Sequence, residues 1–236
     1  MVWQKNIRAL MLAFLGLSGG GIIFWGGIQW YRSELWQCKV DSIISRLTPH
    51  LKKQFSNVKM LVDHRPIALV AFKQERRLEL WKWHRGRYRW IKNYRFTVYS
   101  GHLGPKLRFG DRQIPEGMYR ITNLNPYSSY HLSMKLNYPN AFDRVMARKD
   151  HRTNLGGDIY IHGRDVTIGC IPVGDRAIEE LFTLLAKNGY WRTRVLIAPY
   201  DMRDQAKQHR IPSSAPKWTP ALYKKLRERL RMFQRI

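Results

Sequence analysis

The most informative segments of the sequence are IYIHG (Ile159–Gly163) and TIGCI (Thr167–Ile171), which are separated by three residues. The first segment is short, rich in isoleucine and closed by a glycine, which is typical of a strand that ends in a turn. The second is a loop of small residues that carries Cys170. A histidine at the end of a strand can face a loop cysteine eight positions on, so the pattern predicts a His162–Cys170 pair.

The predicted pair has a definite chemistry. The thiolate of Cys170 is the attacking species, and His162 serves as the general base that later protonates a leaving amine. Gly169 lets the backbone approach a substrate closely, and the N–H groups of Gly169 and Cys170 are candidate oxyanion donors. The alternative is structural, because a lone buried cysteine packs as a small hydrophobe. No further ligand lies at metal-site spacing, so neither a metal nor a cofactor is expected.

The segments around these motifs predict a mainly β domain over residues 66–200 with a few short helices. Apolar and polar residues alternate in the upstream runs, and a helix capped by Asp175 is predicted to extend through Lys187. The predicted strands are IALVAF (Ile67–Phe72), LELWKWH (Leu78–His84), Tyr88–Ile91, YRFTVYS (Tyr94–Ser100), GGDIYIHG (Gly156–Gly163) and RVLIAP (Arg194–Pro199). HRGR, at His84–Arg87, is the predicted hairpin turn.

Four motifs in this order resemble the L,D-transpeptidase catalytic domain family. They are ERRLELWKWHRGRYRWIKNYRFTVYSG (Glu75–Gly101), GDRQIPEGMY (Gly110–Tyr119), the strand-end His-Gly and the Thr-x-Gly-Cys loop. The resemblance covers about Ile67 to Pro199. It implies a β-sandwich, a histidine oriented by a backbone carbonyl, and a thioester formed on meso-diaminopimelate of a peptidoglycan peptide. An amine resolves that thioester in transpeptidation, and water resolves it in hydrolysis.

The sequence departs from the commoner members of that family. Ile168 stands where many members have a second histidine, and Pro172 stands where they have an arginine. Together with SSYHLSMKLNYPNAFD (Ser128–Asp143), these features resemble a subgroup that includes hydrolases of wall cross-links. Transpeptidase and hydrolase therefore both remain open.

Three more residues are candidates for substrate binding, each with a structural alternative. His131 either lines the cleft or supports the fold. Arg164 either holds a substrate carboxylate, which matches guanidinium geometry, or is a solvated loop charge that pairs with Asp165. Tyr138 either forms part of a lid or belongs to the core.

The N-terminal part predicts a membrane anchor. Ala9–Trp30 holds no charged residue and as a helix would span about 33 Å, close to a bilayer's hydrocarbon thickness. Lys5 and Arg8 before it favour a cytoplasmic N-terminus, which places the catalytic domain on the periplasmic or cell-wall side of the inner membrane. Residues 1–33 are then flank and anchor. A cleaved signal peptide and a buried core helix are the alternatives.

Residues 34–65 are predicted to form a helical stalk, and within it Asp41–Val58 forms one or two short helices interrupted at Pro49. Cys38 either has no chemistry or pairs with Cys170 in a disulfide. Residues 201–236 form a basic tail in which Thr219 and Pro220 start a helix by cap and first-turn proline. The apolar stripe of that helix either packs on the domain or lies on an anionic membrane; its members are Leu222, Leu226, Leu230 and Phe233.

The charge balance admits a second class of function. Lys and Arg number 42 against 17 Asp and Glu, a net charge of +25 that attracts polyanions. The rival hypothesis is therefore a catalytically inactive, membrane-anchored basic module that binds anionic wall polymer or lipid. Nucleic acid is not an expected partner, because the predicted location lies outside the cytoplasm.

Overall fold

The fold is known from a computed structural model that describes residues 20–55, 58–204 and 211–235. The helices are α1 (Gly20–Gln54), α2 (Val58–Leu61), α3 (Ala141–Lys149), α4 (Asp175–Asn188) and α5 (Thr219–Leu230), with a 3₁₀ turn at Tyr190–Arg192. The strands are β1 (Ile67–Phe72), β2 (Arg77–His84), β3 (Arg87–Arg95), β4 (Gly117–Asn125), β5 (Ser133–Leu136), β6 (Tyr160–His162), β7 (Ile171–Pro172) and β8 (Arg194–Ala198).

The chain divides into two compact units, Met1–Ser42 and Ile43–Ile236. Of the predicted anchor Ala9–Trp30, residues 9–19 lie outside the described part of the chain, and Gly20–Trp30 forms the first turns of α1. Within the described ranges, no helix combines the length and apolar character needed to cross a membrane. The anchor therefore stays a prediction.

Helix α1 corrects the prediction for the stalk. The interruption expected at Pro49 is wrong, because the helix continues through this residue to Gln54. Proline removes a hydrogen bond in the helix interior, but packing holds this turn. Leu47, Leu51 and Phe55 are buried along one side, and the Thr48 hydroxyl donates to the Ile44 carbonyl at 2.6 Å.

The eight strands form one curled sheet in the order β3-β2-β1-β8-β4-β5-β6-β7, so the predicted mainly β fold with few helices is confirmed. Strand β4 joins the two halves. Its residues Gly117–Arg120 pair with β8, and Ile121–Asn125 pair with β5 across an irregularity between Ile121 and Asn123. Such a bulge bends a strand, which turns β5, β6 and β7 away from the first half of the sheet.

The C-terminal segment is part of the core. Three leucines of α5 and Phe233, which follows the helix, lie in one cluster with residues of β1, β2 and β8, among them Phe72, Trp81 and Leu196. This burial agrees with the packed-helix interpretation, and the exposed residues of α5 are the charged ones together with Pro220 and Ala221. The predicted cap shifts by one residue, because Trp218 precedes the helix and Thr219 lies inside it.

Three other boundaries differ from the prediction. Strand β3 is one nine-residue strand instead of two runs, because its pairing with β2 extends from His84↔Arg87 to Arg77↔Arg95. The strand predicted at Gly156–Gly163 is reduced to β6, since Asp158 (φ +54°) and Gly156 (φ +73°) leave the β region. Asp175 is the first residue of α4 and Gly174 takes the cap position.

Candidate active site

His162 ends β6 and is held from both sides, by β5 through Ser133 and by β7 through Pro172. Its Nδ1 lies 2.6 Å from the Gly163 carbonyl oxygen. Because a carbonyl only accepts, Nδ1 carries the hydrogen and Nε2 is the basic nitrogen. Burial lowers the pKa of His162 below 6.5, and the carbonyl bond opposes this shift. A neutral imidazole with a free Nε2 is suited to general-base work.

Close packing around Gly163 explains why the residue after His162 is a glycine. A Cβ at this position would lie 2.6 Å from Asp175 Oδ1 and 2.9 Å from the Tyr130 carbonyl oxygen. The same carboxylate oxygen accepts a hydrogen bond from the Arg164 N–H at 2.7 Å. The start of α4 thus packs directly on the turn that carries His162, and only glycine leaves room for it.

The segment before β5 covers the imidazole from the other side. The Tyr130 ring lies 4.7 Å from the His162 ring, centroid to centroid, with 33° between the planes. The next residue, His131, places Nε2 2.9 Å from Glu179 Oε1 on α4. His131 therefore ties this segment to the helix, which makes its contribution to the site an indirect one.

Cys170 lies beside β6 because β7 starts in parallel register with it, Ile161 opposite Ile171. The sulfur accepts from the Tyr160 N–H at 3.4 Å and donates to the Asp158 carbonyl at 3.7 Å. Burial raises the pKa of the Cys170 thiol above 9.0, the Tyr160 N–H opposes the shift, Asp158 adds to it and Lys106 opposes it. The direction of this shift favours a neutral thiol at pH 7.

The Thr167 hydroxyl organises the cysteine loop. Its oxygen accepts from the N–H groups of Cys170 at 2.9 Å and Gly169 at 3.2 Å, and it donates to the Cys170 carbonyl at 2.8 Å. Both predicted oxyanion donors are thus directed at Thr167. Gly169 has φ +126°, and a Cβ there would lie 3.0 Å from the Gln113 carbonyl oxygen. Glycine is therefore required for conformation and for space.

The structure places His162 at the end of β6 and Cys170 directly before the start of the neighbouring strand β7. Within the described residues, no hydrogen bond joins His162 to Cys170. Cys38 and Cys170 are both free thiols.

The other predicted residues are less closely connected. Arg164 is exposed at φ +56°, and its carbonyl accepts from the Thr97 hydroxyl at 2.9 Å. Tyr138 is buried, with its hydroxyl donating to the Leu155 carbonyl at 3.1 Å and its ring packed against Tyr119. This position favours the core over a lid.

Thr167, Asp175 and Tyr130 contact the candidate site, and the sequence prediction gave none of them a role there. Thr167 carried a usable signal, because Ser and Thr side chains often bond to a backbone N–H two residues on. The other two had none, since their roles depend on contacts with elements distant in the chain.

A curled, mainly β domain with a strand-end His-Gly beside a Thr-x-Gly-Cys loop defines a class of peptidoglycan-modifying enzymes. The chain belongs to the L,D-transpeptidase family: the YkuD L,D-transpeptidase catalytic domain matches residues 66–197. YafK of Escherichia coli K12, a provisionally assigned L,D-transpeptidase, is 33% identical over 159 residues, which cover 65% of this chain. The chain spans 62% of the length of that relative.

Solved structures also show similarity to the chain. The helical cell shape determining protein Pgp2 of Campylobacter jejuni aligns at TM-score 0.48 and 22% identity, over 58% of this chain and 49% of that one. L,D-transpeptidase 1 of Mycobacterium tuberculosis aligns at TM-score 0.34 and 11% identity, over 57% of this chain and 62% of that one.

Proposed function

We propose that the chain is a cysteine-dependent peptidoglycan enzyme that forms a thioester with a wall peptide at meso-diaminopimelate. The observation that carries the proposal is the fixed tautomer of His162, whose basic Nε2 sits on the strand next to the Cys170 loop. The thioester passes to an amine, as in an L,D-transpeptidase, or to water, as in a cross-link hydrolase.

The resting protonation states define the first step. Since the thiol and the imidazole are both neutral, the Cys170 side chain turns from the Asp158 carbonyl toward His162 when substrate binds. Nε2 takes the thiol proton as the sulfur–carbon bond forms, and the imidazolium then gives that proton to the leaving amine as the peptide bond breaks. In the second step His162 deprotonates the incoming amine or water, and the proton returns to the departing sulfur.

The oxyanion donors in this proposal are the N–H groups of Gly169 and Cys170. In the resting loop both are satisfied by Thr167 Oγ1. Rotation of the Thr167 side chain about its Cα–Cβ bond would move Oγ1 away and release both N–H groups to the substrate oxygen, which carries the developing charge. Before substrate arrives, the same hydroxyl holds the loop in shape.

Substrate contacts are proposed for the exposed rim of the site. Arg164 is the candidate for a substrate carboxylate, because its backbone is fixed by Asp175 and Thr97 while its side chain extends into solvent. His131 supports the site through Glu179. Tyr138 acts from the core, below the surface that a substrate can reach.

We also propose that residues 1–33 anchor the protein in the inner membrane with the catalytic domain on the periplasmic or cell-wall side. The support is the uncharged run Ala9–Trp30 preceded by Lys5 and Arg8. Edman sequencing of protein recovered from membranes tests this proposal. A first residue downstream of Trp30 would show that the segment is cleaved.

The decisive test of the enzymatic proposal uses purified cross-linked wall fragments and mass spectrometry of the products. An increase by one water identifies a hydrolase, and a new peptide–amine adduct identifies a transpeptidase. Retention of a carbapenem on Cys170, seen as a mass increase that Cys170→Ala abolishes, demonstrates the nucleophile separately.

A second candidate is an inactive basic module that binds anionic wall polymer or lipid. The observation in its favour is that the thiol and both oxyanion donors are bonded within the protein at rest. Binding of the chain to anionic polymer without carbapenem labelling or product formation would select this alternative.

A further inference from the structure

A cleft of about 310 Å³ lies where α5 ends on the sheet, apart from the His162–Cys170 site. It is bounded by the paired strands β4 and β8 and by the residues around the end of α5. Its lining combines cations with apolar side chains: Met118, Arg120, Arg194, Leu196, Arg229 and Met232.

Three arginines meet at this cleft. Arg120 and Arg194 are direct cross-strand partners, and Arg229 approaches from α5. Like charges directly opposite each other on a sheet are destabilising. All three are exposed, and in the described part of the chain none of their guanidiniums is hydrogen-bonded or paired with a carboxylate. An anion bound between them would relieve this repulsion.

Other arginines near the same face of the sheet are paired with carboxylates, and this pairing distinguishes them from the arginines of the cleft. Arg203 packs over the Trp81 ring and pairs with Asp201 at 2.6 Å and with Glu79 at 3.0 Å. Arg77 pairs with the same two carboxylates. The cleft arginines have no such partner among the described residues.

The apolar part of the cleft narrows the class of ligand. Met118 is 42% exposed and Met232 is 39% exposed, and buried Leu196 and Phe233 back them. A free phosphate or a sugar–phosphate polymer would use the arginines and leave both methionines in water. A phospholipid uses both kinds of surface, because guanidinium groups match phosphate oxygens and flexible methionines adapt to glycerol and acyl carbons.

We propose that this cleft binds an anionic phospholipid at a membrane surface, with the phosphate between Arg120, Arg194 and Arg229 and the first acyl carbons against the two methionines. The proposal places the lipid contact at the end of α5, because the apolar stripe of that helix is buried in the core. It does not depend on the catalytic proposal.

Photocrosslinking of the full chain in phosphatidylcholine vesicles tests the site. The vesicles contain a trace of phosphatidylglycerol with a photoreactive group near the glycerol, or phosphatidylcholine with the same group. We expect phosphatidylglycerol to label peptides with Met118 and Met232 at least fivefold more than phosphatidylcholine. Each arginine-to-glutamine change should lower the labelling about fivefold at low salt. Arg120→Gln/Arg194→Gln should reduce it to the phosphatidylcholine level.

Arg148→Gln, an exposed arginine on α3, is the matched control and should leave the labelling unchanged. The double variant should melt at or above the wild-type temperature, since it removes a like-charge pair. If it does not fold, Arg229→Gln on the surface of α5 gives the same test.

Four results would overturn the proposal. They are equal labelling by the two lipids, labelling that persists in the arginine variants, displacement by poly(glycerol phosphate), and displacement by inorganic phosphate at the same phosphate concentration. The third would identify an anionic polymer as the ligand, and the fourth a free phosphate.

Discussion

The end of β6 and the TIGC loop lie side by side, yet they differ in how their reactive groups are held. His162 is buried and stacked under Tyr130, and its Nδ1 bond leaves Nε2 ready to act. Cys170 is only partly buried, and its thiol donates a hydrogen bond to the Asp158 carbonyl. In the proposed mechanism His162 is therefore preorganised, while Cys170 and the N–H groups beside it must be released. Activation of the site would then be a property of the loop.

Removal of either reactive group should have the largest effect. We expect Cys170→Ala and His162→Ala each to reduce kcat/KM on wall peptides by about 10³-fold or more. The double variant should be no slower than the worse single variant, because the two groups act as a unit. Hydrolysis or transfer is followed by mass spectrometry, and Cys38→Ser, which changes the exposed second cysteine, is the control. Activity of Cys170→Ala within tenfold of wild type would rule out the thiol mechanism.

A substitution of Gly163 should displace the turn at the end of β6 that carries His162. In Gly163→Ala the new Cβ meets Asp175 Oδ1 and the Tyr130 carbonyl, so the turn or α4 must move. We expect a loss of about 1–3 kcal/mol in unfolding free energy and a fall of about 10²-fold in kcat/KM. Urea denaturation and steady-state kinetics measure these two effects.

Gly157→Ala is the matched control for that experiment. A Cβ at Gly157 meets nothing within 4 Å, and its φ is not positive. Equal effects of the two substitutions would contradict the steric role of Gly163.

Features of the fold and the site that depend on local sequence could be predicted, whereas features that depend on contacts between distant parts of the chain could not. The predicted bounds of β1 match the strand residue for residue, although its six apolar residues are all buried, as in a strand covered on both faces, and do not alternate as expected. The backbone carbonyl that orients His162 followed from the family resemblance. The length of β3 and the bonds of His131 depend on partners far along the chain, which no local pattern specifies.

The TIGC loop falls between these cases. Its motif predicted Cys170 with two N–H donors, those of Gly169 and of Cys170 itself. Their resting partners could not be predicted, because the choice between a substrate oxygen and Thr167 Oγ1 depends on the loop conformation.

The role of the TIGC loop is tested by substitution of Thr167. Thr167→Val keeps the shape of the side chain but leaves the N–H groups of Gly169 and Cys170 without their resting acceptor. We expect kcat to fall about tenfold with little change in KM, because the loop loses the bonds that position the sulfur. Thr167→Ser keeps the hydroxyl and should remain within about twofold of wild type. A Thr167→Val enzyme as fast as wild type would show that the hydroxyl does not position the loop.

The smallest expected effect is the change of kcat/KM with pH. The pH dependence also distinguishes a resting neutral thiol–imidazole pair from a thiolate–imidazolium pair. Burial lowers the pKa of His162 below 6.5 and raises the pKa of Cys170 above 9.0. With a neutral pair, protonation of the base removes activity only below pH 6.5. Ionisation of the thiol, with loss of the proton destined for the leaving amine, removes it only above pH 9. Between these limits kcat/KM should vary by no more than about twofold.

Alkylation of the resting enzyme by iodoacetamide completes this test, with Cys38→Ser as the background so that only Cys170 reacts. For a neutral thiol, the rate should rise about tenfold per pH unit up to pH 9, because only the thiolate attacks. A preformed thiolate–imidazolium pair would instead give a rate that is already constant near pH 6. That result would show that Cys170 is already a thiolate before any substrate binds. His162 and Cys170 would then differ only in how tightly their side chains are packed.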